Sequence, residues 1–85
     1  MEVNIIYTKT FLKQVQSYKN TSLLKQIEKQ TEVLKCNPFH PSLHFEKLEP
    51  KHEKTFSLRV NRQYRILLKR ENEYFTFLAL SKHYE

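Results

Sequence analysis

Hydrophobic and polar positions in the first half of the chain follow a strand pattern and then two helical patterns. Residues 2–7 are rich in β-branched side chains and predict a first strand that ends at Thr8, a suitable helix N-cap. Apolar side chains then recur at helical spacing over residues 10–18 and again over residues 23–34. Because the polar break between the two stretches is short, we expect an antiparallel helical hairpin that ends near Pro38.

The second half of the chain has the period of two that is typical of strands. Residues 41–50 are bounded by prolines and predict an irregular connection or an edge strand, because proline is excluded from helix interiors and central strands. Residues 55–60, 64–69 and 74–80 have strand composition and are separated by short polar links, which predicts an antiparallel meander. The order β-α-α-β-β-β therefore predicts an α+β domain, with the helical hairpin packed on one face of a twisted, mainly antiparallel sheet.

Length and composition limit the kinds of chemistry available to the protein. The 85 residues are enough for one domain, residues 1–85, with a single core. The chain has no glycine, which excludes Walker loops, dinucleotide fingerprints, nucleophile elbows and EF-hands, since each requires glycine at fixed positions. With one cysteine, Cys36, no internal disulfide can form, and we expect this side chain to fill space in the core.

The same counts favour a cytoplasmic protein. The longest apolar runs, residues 66–68 and 77–80, are far shorter than the roughly 20 residues that a membrane span needs. The amino terminus carries Glu2 where a secretory signal would carry a basic residue, and no long apolar segment follows. We therefore expect no contact with a membrane.

Positive charge is concentrated late in the chain. The 15 Lys and Arg against 9 Asp and Glu give a net charge of +6, and all four arginines lie within residues 59–70. If residues 61–63 form the centre of a hairpin, Arg59 faces Arg65 across two strands. Such a pair of like charges is costly unless a phosphate, a carboxylate or an acidic partner lies between the guanidinium groups. The alternative is that both arginines are solvated and pair with glutamates of residues 46–53, and composition alone does not decide between the two.

The lysines divide into two groups. Those on the predicted helices lie off the apolar stripe and are typical of a solvated helix surface. Three others, Lys47, Lys51 and Lys54, are expected closer to the arginines and are better candidates for binding phosphate.

Candidate catalytic groups lie in the proline-bounded segment and at the end of the chain. The final strand should run antiparallel to the strand that carries Arg65, so His83 would follow a strand end near that arginine. A carboxylate such as Glu46, an arginine and a histidine can together catalyse transesterification of RNA, because they can accept a proton, stabilise a phosphorane and donate a proton. This chemistry needs no metal, and the other three histidines have no recognisable zinc-site spacing.

The last 40 residues carry a family resemblance. The stretch Phe56-Ser57-Leu58-Arg59-Val60-Asn61-Arg62-Gln63-Tyr64-Arg65-Ile66, together with the closing Lys82-His83-Tyr84, resembles the RelE/ParE superfamily of toxins from type II toxin–antitoxin systems. Within that superfamily the chain is most similar to the YoeB-type messenger-RNA interferases, and the likeness in length and element order covers the whole chain. It departs from that type in the extra Glu85 after Tyr84 and in lacking a glycine before Phe56.

The resemblance implies the RelE/ParE-like microbial RNase fold and specific residue roles. Glu46 would be the general base, Arg65 the charge stabiliser, His83 the proton donor and Tyr84 a group that stacks on or positions the messenger base. Arg59 would hold a phosphate beside Arg65. The three lysines Lys47, Lys51 and Lys54 would contact the ribosomal or messenger backbone. No metal and no cofactor are implied.

The function implied by the resemblance is ribosome-dependent cleavage of messenger RNA, which inhibits translation. Two alternatives stay open, namely a ParE-like toxin that binds gyrase without nuclease chemistry, and an inactive relative that binds nucleic acid or antitoxin. The expected partners are messenger RNA on the 70S ribosome and a cognate acidic antitoxin segment, which would cover the basic face and fold on binding. Either a homodimer or a toxin–antitoxin hetero-oligomer is compatible with this picture.

Overall fold

A computed structural model describes residues 3–47 and 55–82 of the protein. The secondary structure consists of β1 (Asn4–Tyr7), α1 (Lys9–Gln16), α2 (Ser22–Cys36), a short 3₁₀ helix (Pro41–Leu43), β2 (Glu46–Lys47), β3 (Thr55–Arg59), β4 (Tyr64–Glu71) and β5 (Tyr74–Lys82). The five strands form one sheet in the order β1-β5-β4-β3-β2, in which β1 is parallel to β5 and the other neighbours are antiparallel. The predicted α+β architecture is confirmed.

The helical hairpin begins and turns where the sequence supplies caps. Thr8 caps α1 by accepting a hydrogen bond from the Phe11 amide, and Thr21 caps α2 in the same way. Between the helices Asn20 adopts a positive φ of 65°, a conformation that asparagine tolerates better than most residues and that glycine would otherwise supply. The chain therefore reverses direction without a glycine.

The core lies between the helices and one face of the sheet. Twelve hydrophobic side chains of the described residues are buried there, four of them from the helices, one from the 3₁₀ helix and the rest from or beside the strands: Phe11, Leu23, Ile27, Leu34, Leu43, Leu58, Val60, Ile66, Leu68, Phe75, Phe77 and Leu80. The alternating residues Ser57, Arg59 and Arg65 lie on the opposite face, which we call the open face. No helix among the described residues is long and apolar enough to cross a membrane.

Two details differ from the sequence prediction. Cys36 is exposed rather than buried, because it lies two residues beyond the buried Leu34 and so points to the opposite side of α2. The turn between β4 and β5 is shortened to Asn72 and Glu73, because β4 continues to Glu71 beyond its apolar run, whereas β5 begins at Tyr74 as predicted. The edge strand predicted for the proline-bounded segment is confirmed by β2, which follows a 3₁₀ helix in the same segment.

The last two strands are tied to the first helix at a β-bulge. The pairing of β4 with β5 shifts between Leu67 and Leu68, so that Leu78 has no partner residue. The hydroxyl of Thr8 donates to the carbonyls of Phe77 and Leu78, at 2.8 and 3.1 Å. The Phe77 carbonyl also accepts the Thr8 amide at 3.3 Å, so the residue that caps α1 is bonded to β5 at the bulge.

Candidate active site on the open face

The predicted hairpin between β3 and β4 forms and sets two arginines side by side. Arg59 pairs directly with Arg65 in the strand register, as the sequence predicted. The Asn61 side chain closes the turn, because its Oδ1 accepts the amides of Gln63 and Tyr64 at 2.8 and 2.9 Å. Because they are directly paired, the side chains of Arg59 and Arg65 both project from the open face, where they concentrate positive charge.

Arg65 is held by three neighbours. Its Nε donates to the Ser57 hydroxyl at 2.9 Å, and its Nη2 donates to the His44 carbonyl at 2.5 Å. The same Nη2 lies 3.9 Å from Oε1 of Glu46. The Arg65 side chain is only 13% exposed, whereas the Glu46 side chain is 68% exposed. The guanidinium group is thus fixed in orientation, while the carboxylate beside it is accessible.

Backbone geometry at His44 supports this arrangement. His44 has φ 44° and ψ 54°, in the left-handed region that costs a non-glycine residue about 1 kcal/mol or more. It ends the 3₁₀ helix, where its amide donates to the Pro41 carbonyl at 3.1 Å. In this conformation the His44 carbonyl accepts the Arg65 guanidinium. A strained residue therefore contributes its backbone, rather than its imidazole, to the site.

Glu46 reaches the open face through the register of β2. Glu46 pairs with Ser57, so its side chain shares the face of Ser57 and Arg65. Lys47 pairs with Phe56, which packs against the core, and therefore lies on the other face of the sheet. The structure does not bring Lys47 toward the two arginines, because successive residues of a strand point to opposite faces. Its role as a phosphate contact stays a prediction.

The remaining predicted residues can be placed only in part. Strand β5 ends at Lys82, opposite Tyr64, and Ser81 lies opposite Arg65. The strand that precedes His83 thus ends beside Arg65, as the predicted topology required. The predicted catalytic residues His83 and Tyr84 lie outside the described residues, as do the predicted phosphate ligands Lys51 and Lys54.

Sequence reasoning missed the glutamines that hold this end of the sheet in place. The Gln14 amide group donates to the Leu80 carbonyl at 3.0 Å and accepts the Leu80 amide at 2.7 Å, continuing the pairing of β5 beyond the end of β1. The buried Gln30 donates to the carbonyls of Ser42 and Arg59, at 3.1 and 2.7 Å. No signal in the helical pattern singles out these two polar residues.

A pair of tyrosines lies at the same end of the sheet, on the side of the helices. The hydroxyls of Tyr18 and Tyr64 are 3.4 Å apart and their rings meet edge to face at 5.7 Å. The hydrogen bond with Tyr64 raises the pKa of the Tyr18 phenol above its ordinary value of 10.0, and Lys82 partly offsets this increase. The Tyr18 hydroxyl therefore stays protonated at neutral pH.

Comparison with protein families gives one match over most of the chain. Residues 7–83 match the family model described as the RelE-like toxin of type II toxin–antitoxin system HigB. A protein of Haemophilus influenzae described only as uncharacterized is 46% identical over 43 residues, which are 51% of this chain and 43% of that protein. The matched segment thus spans less than half of that relative.

Solved structures share the fold. A YoeB/ParE toxin from Agrobacterium tumefaciens superposes with a TM-score of 0.78 at 14% identity, over 96% of this chain and 100% of that one. A YoeB-YefM complex from Staphylococcus aureus gives a TM-score of 0.77 at 17% identity, over 99% and 100% of the two chains. An archaeal RelE-RelB complex from Pyrococcus horikoshii gives 0.77 at 17% identity, over 96% of each chain.

Proposed function

Because the chain belongs to the HigB-like family of RelE-like toxins from type II toxin–antitoxin systems, we propose that it cleaves messenger RNA on the translating ribosome and so inhibits translation. Membership of the family confirms the resemblance to RelE/ParE toxins noted in the sequence. The cleavage reaction and its dependence on the ribosome are the proposal.

The observation that carries the proposal is the fixed Arg65 guanidinium beside the accessible Glu46 carboxylate. The Ser57 hydroxyl and the His44 carbonyl occupy Nε and one N–H of Nη2, and no contact among the described residues uses Nη1. A guanidinium that is oriented in advance, with donors left over, is suited to a phosphate whose charge increases in the transition state.

The proposed reaction is a transesterification in which each group has one role. Glu46 accepts the proton of a ribose 2′-hydroxyl as its oxygen attacks the adjacent phosphorus. Arg65 stabilises the negative charge of the phosphorane, and His83 donates a proton to the departing 5′-oxygen. The products are a 2′,3′-cyclic phosphate, or the 3′-phosphate formed from it by hydrolysis, and a free 5′-hydroxyl. In this proposal no metal takes part in the chemical step.

The other predicted site residues complete the proposal. Arg59 lies across the strands from Arg65 and would bind a neighbouring phosphate of the same RNA. Tyr84 would position a base next to the cleaved bond. Lys51 and Lys54 would contact the ribosomal or messenger backbone.

We also propose that an acidic antitoxin covers the open face. A net charge of +6, with two arginines adjacent on one surface, favours a negatively charged partner. The solved structures that share this fold include toxins described in complex with YefM and RelB. A toxin–antitoxin hetero-oligomer is therefore the assembly we expect in the cell.

In vitro translation read by primer extension tests the proposed function. Wild-type protein should produce new 5′ ends within translated codons, and Arg65→Ala, Glu46→Gln and His83→Gln should each reduce cleavage at least a hundredfold. Lys69→Gln is a matched control, because Lys69 lies on the same face of β4 but pairs with Glu71 at 3.2 Å instead of joining the site. Absence of cleavage by the wild type, together with gyrase-linked DNA breaks in cells, would instead favour the ParE-like function.

A further inference from the structure

A second concave site lies on the helix side of the sheet, at the end away from Arg65. Its lining is formed by four phenylalanines, a proline and one arginine: Pro38, Phe39, Phe45, Phe56, Arg70 and Phe75. We call it the Phe39 pocket, and its volume is about 120 Å³. Arg70 is five residues from Arg65 along β4, which corresponds to about 17 Å at roughly 3.4 Å per residue. The Phe39 pocket is thus separate from the proposed cleavage site.

The walls of the Phe39 pocket are packed against one another and carry an exposed aromatic ring. Phe45 packs edge to face on Phe56 at 6.0 Å, and the Arg70 guanidinium lies 5.8 and 5.9 Å from the centres of the Phe75 and Phe39 rings. Phe39 is nevertheless 69% exposed. Its amide is fixed by a 3.0 Å hydrogen bond to the Asn37 side chain. Together with the other apolar residues that line the pocket, the exposed Phe39 ring forms a contiguous apolar patch, which is typical of a binding surface.

Size and chemistry indicate what the Phe39 pocket can hold. An enclosed apolar cavity of about 150 Å³ accommodates a benzene ring. The Phe39 pocket, at about 120 Å³, is somewhat smaller and suits a leucine side chain. Among its lining side chains only Arg70 carries hydrogen-bond donors, and none carries an acceptor. A nucleobase buried here would leave several polar groups without partners, which is costly. An aliphatic or aromatic side chain of a peptide has no such groups.

The charge at the rim of the Phe39 pocket indicates which residues of a bound peptide should flank the side chain that enters the pocket. Lys47 and Arg70 both line the shallow cavity adjoining the Phe39 pocket. Glu71 also lines that cavity, but its carboxylate is paired with Lys69 at 3.2 Å. Carboxylates next to the anchoring side chain would therefore meet two cations.

We propose that the Phe39 pocket binds one leucine-sized side chain of an acidic peptide segment. Identifying that segment as part of the antitoxin rests on the proposed function. Anchoring here would fix the antitoxin at a point distant from the cleavage site, and the remainder of its chain would extend to the open face. Loss of the anchor should thus weaken neutralisation and leave RNA cleavage intact.

A titration followed by nuclear magnetic resonance tests the pocket directly. The probe is a capped pentapeptide with a central leucine flanked by two glutamates on each side, added to the ¹⁵N-labelled full chain. Shift changes should concentrate at the residues that line the Phe39 pocket. Replacing the central leucine by alanine should weaken binding about tenfold, as expected for an apolar side chain that is buried on binding. A version with lysines in place of the glutamates should show no binding at the pocket.

Protein variants separate this proposal from its rivals. Phe39→Ala should weaken the peptide about tenfold, whereas Tyr74→Ala should not, since Tyr74 is an exposed aromatic residue (49%) near the same end of the sheet that does not line the pocket. Adenosine monophosphate is titrated in parallel. If it binds at the pocket and the peptide does not, the pocket serves nucleic acid and the proposal is wrong.

The two proposals fail independently. If the peptide causes no shift changes at the pocket, or binds Phe39→Ala as well as the wild type, the inference is overturned even where wild-type protein cleaves messenger RNA. If wild-type protein cleaves nothing but the leucine peptide binds as described, the pocket stands and the nuclease function is wrong.

Discussion

The hydrogen bond between Arg65 and Ser57 gives a sharp test of how the site is built. Ser57 is 3% exposed and its hydroxyl accepts the Arg65 Nε at 2.9 Å. The Ser57→Ala substitution removes this acceptor with almost no change in volume and leaves a charged donor partly buried. Arg65 keeps its contacts to the His44 carbonyl and to Glu46. The guanidinium is therefore expected to lose its orientation rather than to leave the site.

The expected cost in stability follows from the burial of both groups. A hydrogen bond to a charged group contributes about 1.5–3 kcal/mol to the free energy of unfolding. Because the Arg65 side chain retains 13% exposure, water can partly replace the serine, and we expect a loss near the lower end, about 1.5 kcal/mol. For a domain of this size that corresponds to a melting temperature lower by about 6–12 °C.

The effect on catalysis should be separate from the effect on stability. With messenger RNA on ribosomes, Ser57→Ala should lower kcat about tenfold and change KM little, because a misaligned guanidinium loses contact mainly with the charge that develops in the transition state. Ser57→Thr keeps an oxygen at the same position and should restore most of the rate. If Ser57→Ala loses stability but cleaves as fast as wild type, Ser57 does not position Arg65. Unchanged stability in Ser57→Ala would refute the energetic reasoning itself.

Three further predictions concern residues around the site. Gln30→Leu should lower the free energy of unfolding by about 1–3 kcal/mol in urea titrations, because the carbonyls of Ser42 and Arg59 would each lose a donor; an unchanged midpoint would contradict this. His44→Val should destabilise the protein by about 1–2 kcal/mol and slow cleavage, since a β-branched residue resists a positive φ, whereas His44→Asn should leave both unchanged. Because the pKa of Tyr18 is raised on folding, the neutral phenol is favoured in the folded state, so wild type should lose stability as the pH rises past 10.0, and Tyr18→Phe should lose less.

Much of the fold could be predicted from the sequence because local and tertiary preferences agree. The hairpin around Asn61 is an example, since strand alternation and a polar turn together determined that Arg59 would face Arg65. The position of Glu46 on the open face was harder to predict from the sequence. Strand β2 has only two residues, and a shift of one residue in such a strand exchanges the faces of Glu46 and Lys47.

The residues that hold Arg65 and the neighbouring strand end in place could not be predicted from the sequence, and the reason is different. The His44 contact uses a backbone carbonyl whose direction depends on a left-handed φ, and no side-chain pattern encodes that direction. Gln14 occupies an ordinary polar position of a helix, and its double contact with Leu80 exists only because β5 extends past β1. Ser57 was closer to prediction, since it precedes Arg59 by two residues and so shares its face.

The central claim is that Glu46, Arg65 and His83 cleave RNA by activating its own 2′-hydroxyl. The most direct test uses ribosome-bound messenger RNA with a single 2′-deoxynucleotide at the cleavage position, compared with the all-ribose message under the same conditions. We predict that wild-type protein cuts the all-ribose message, leaves a 2′,3′-cyclic phosphate or 3′-phosphate end, and spares the deoxy-substituted message. Cleavage of both messages at equal rates, or a 3′-hydroxyl end on the all-ribose product, would contradict this mechanism.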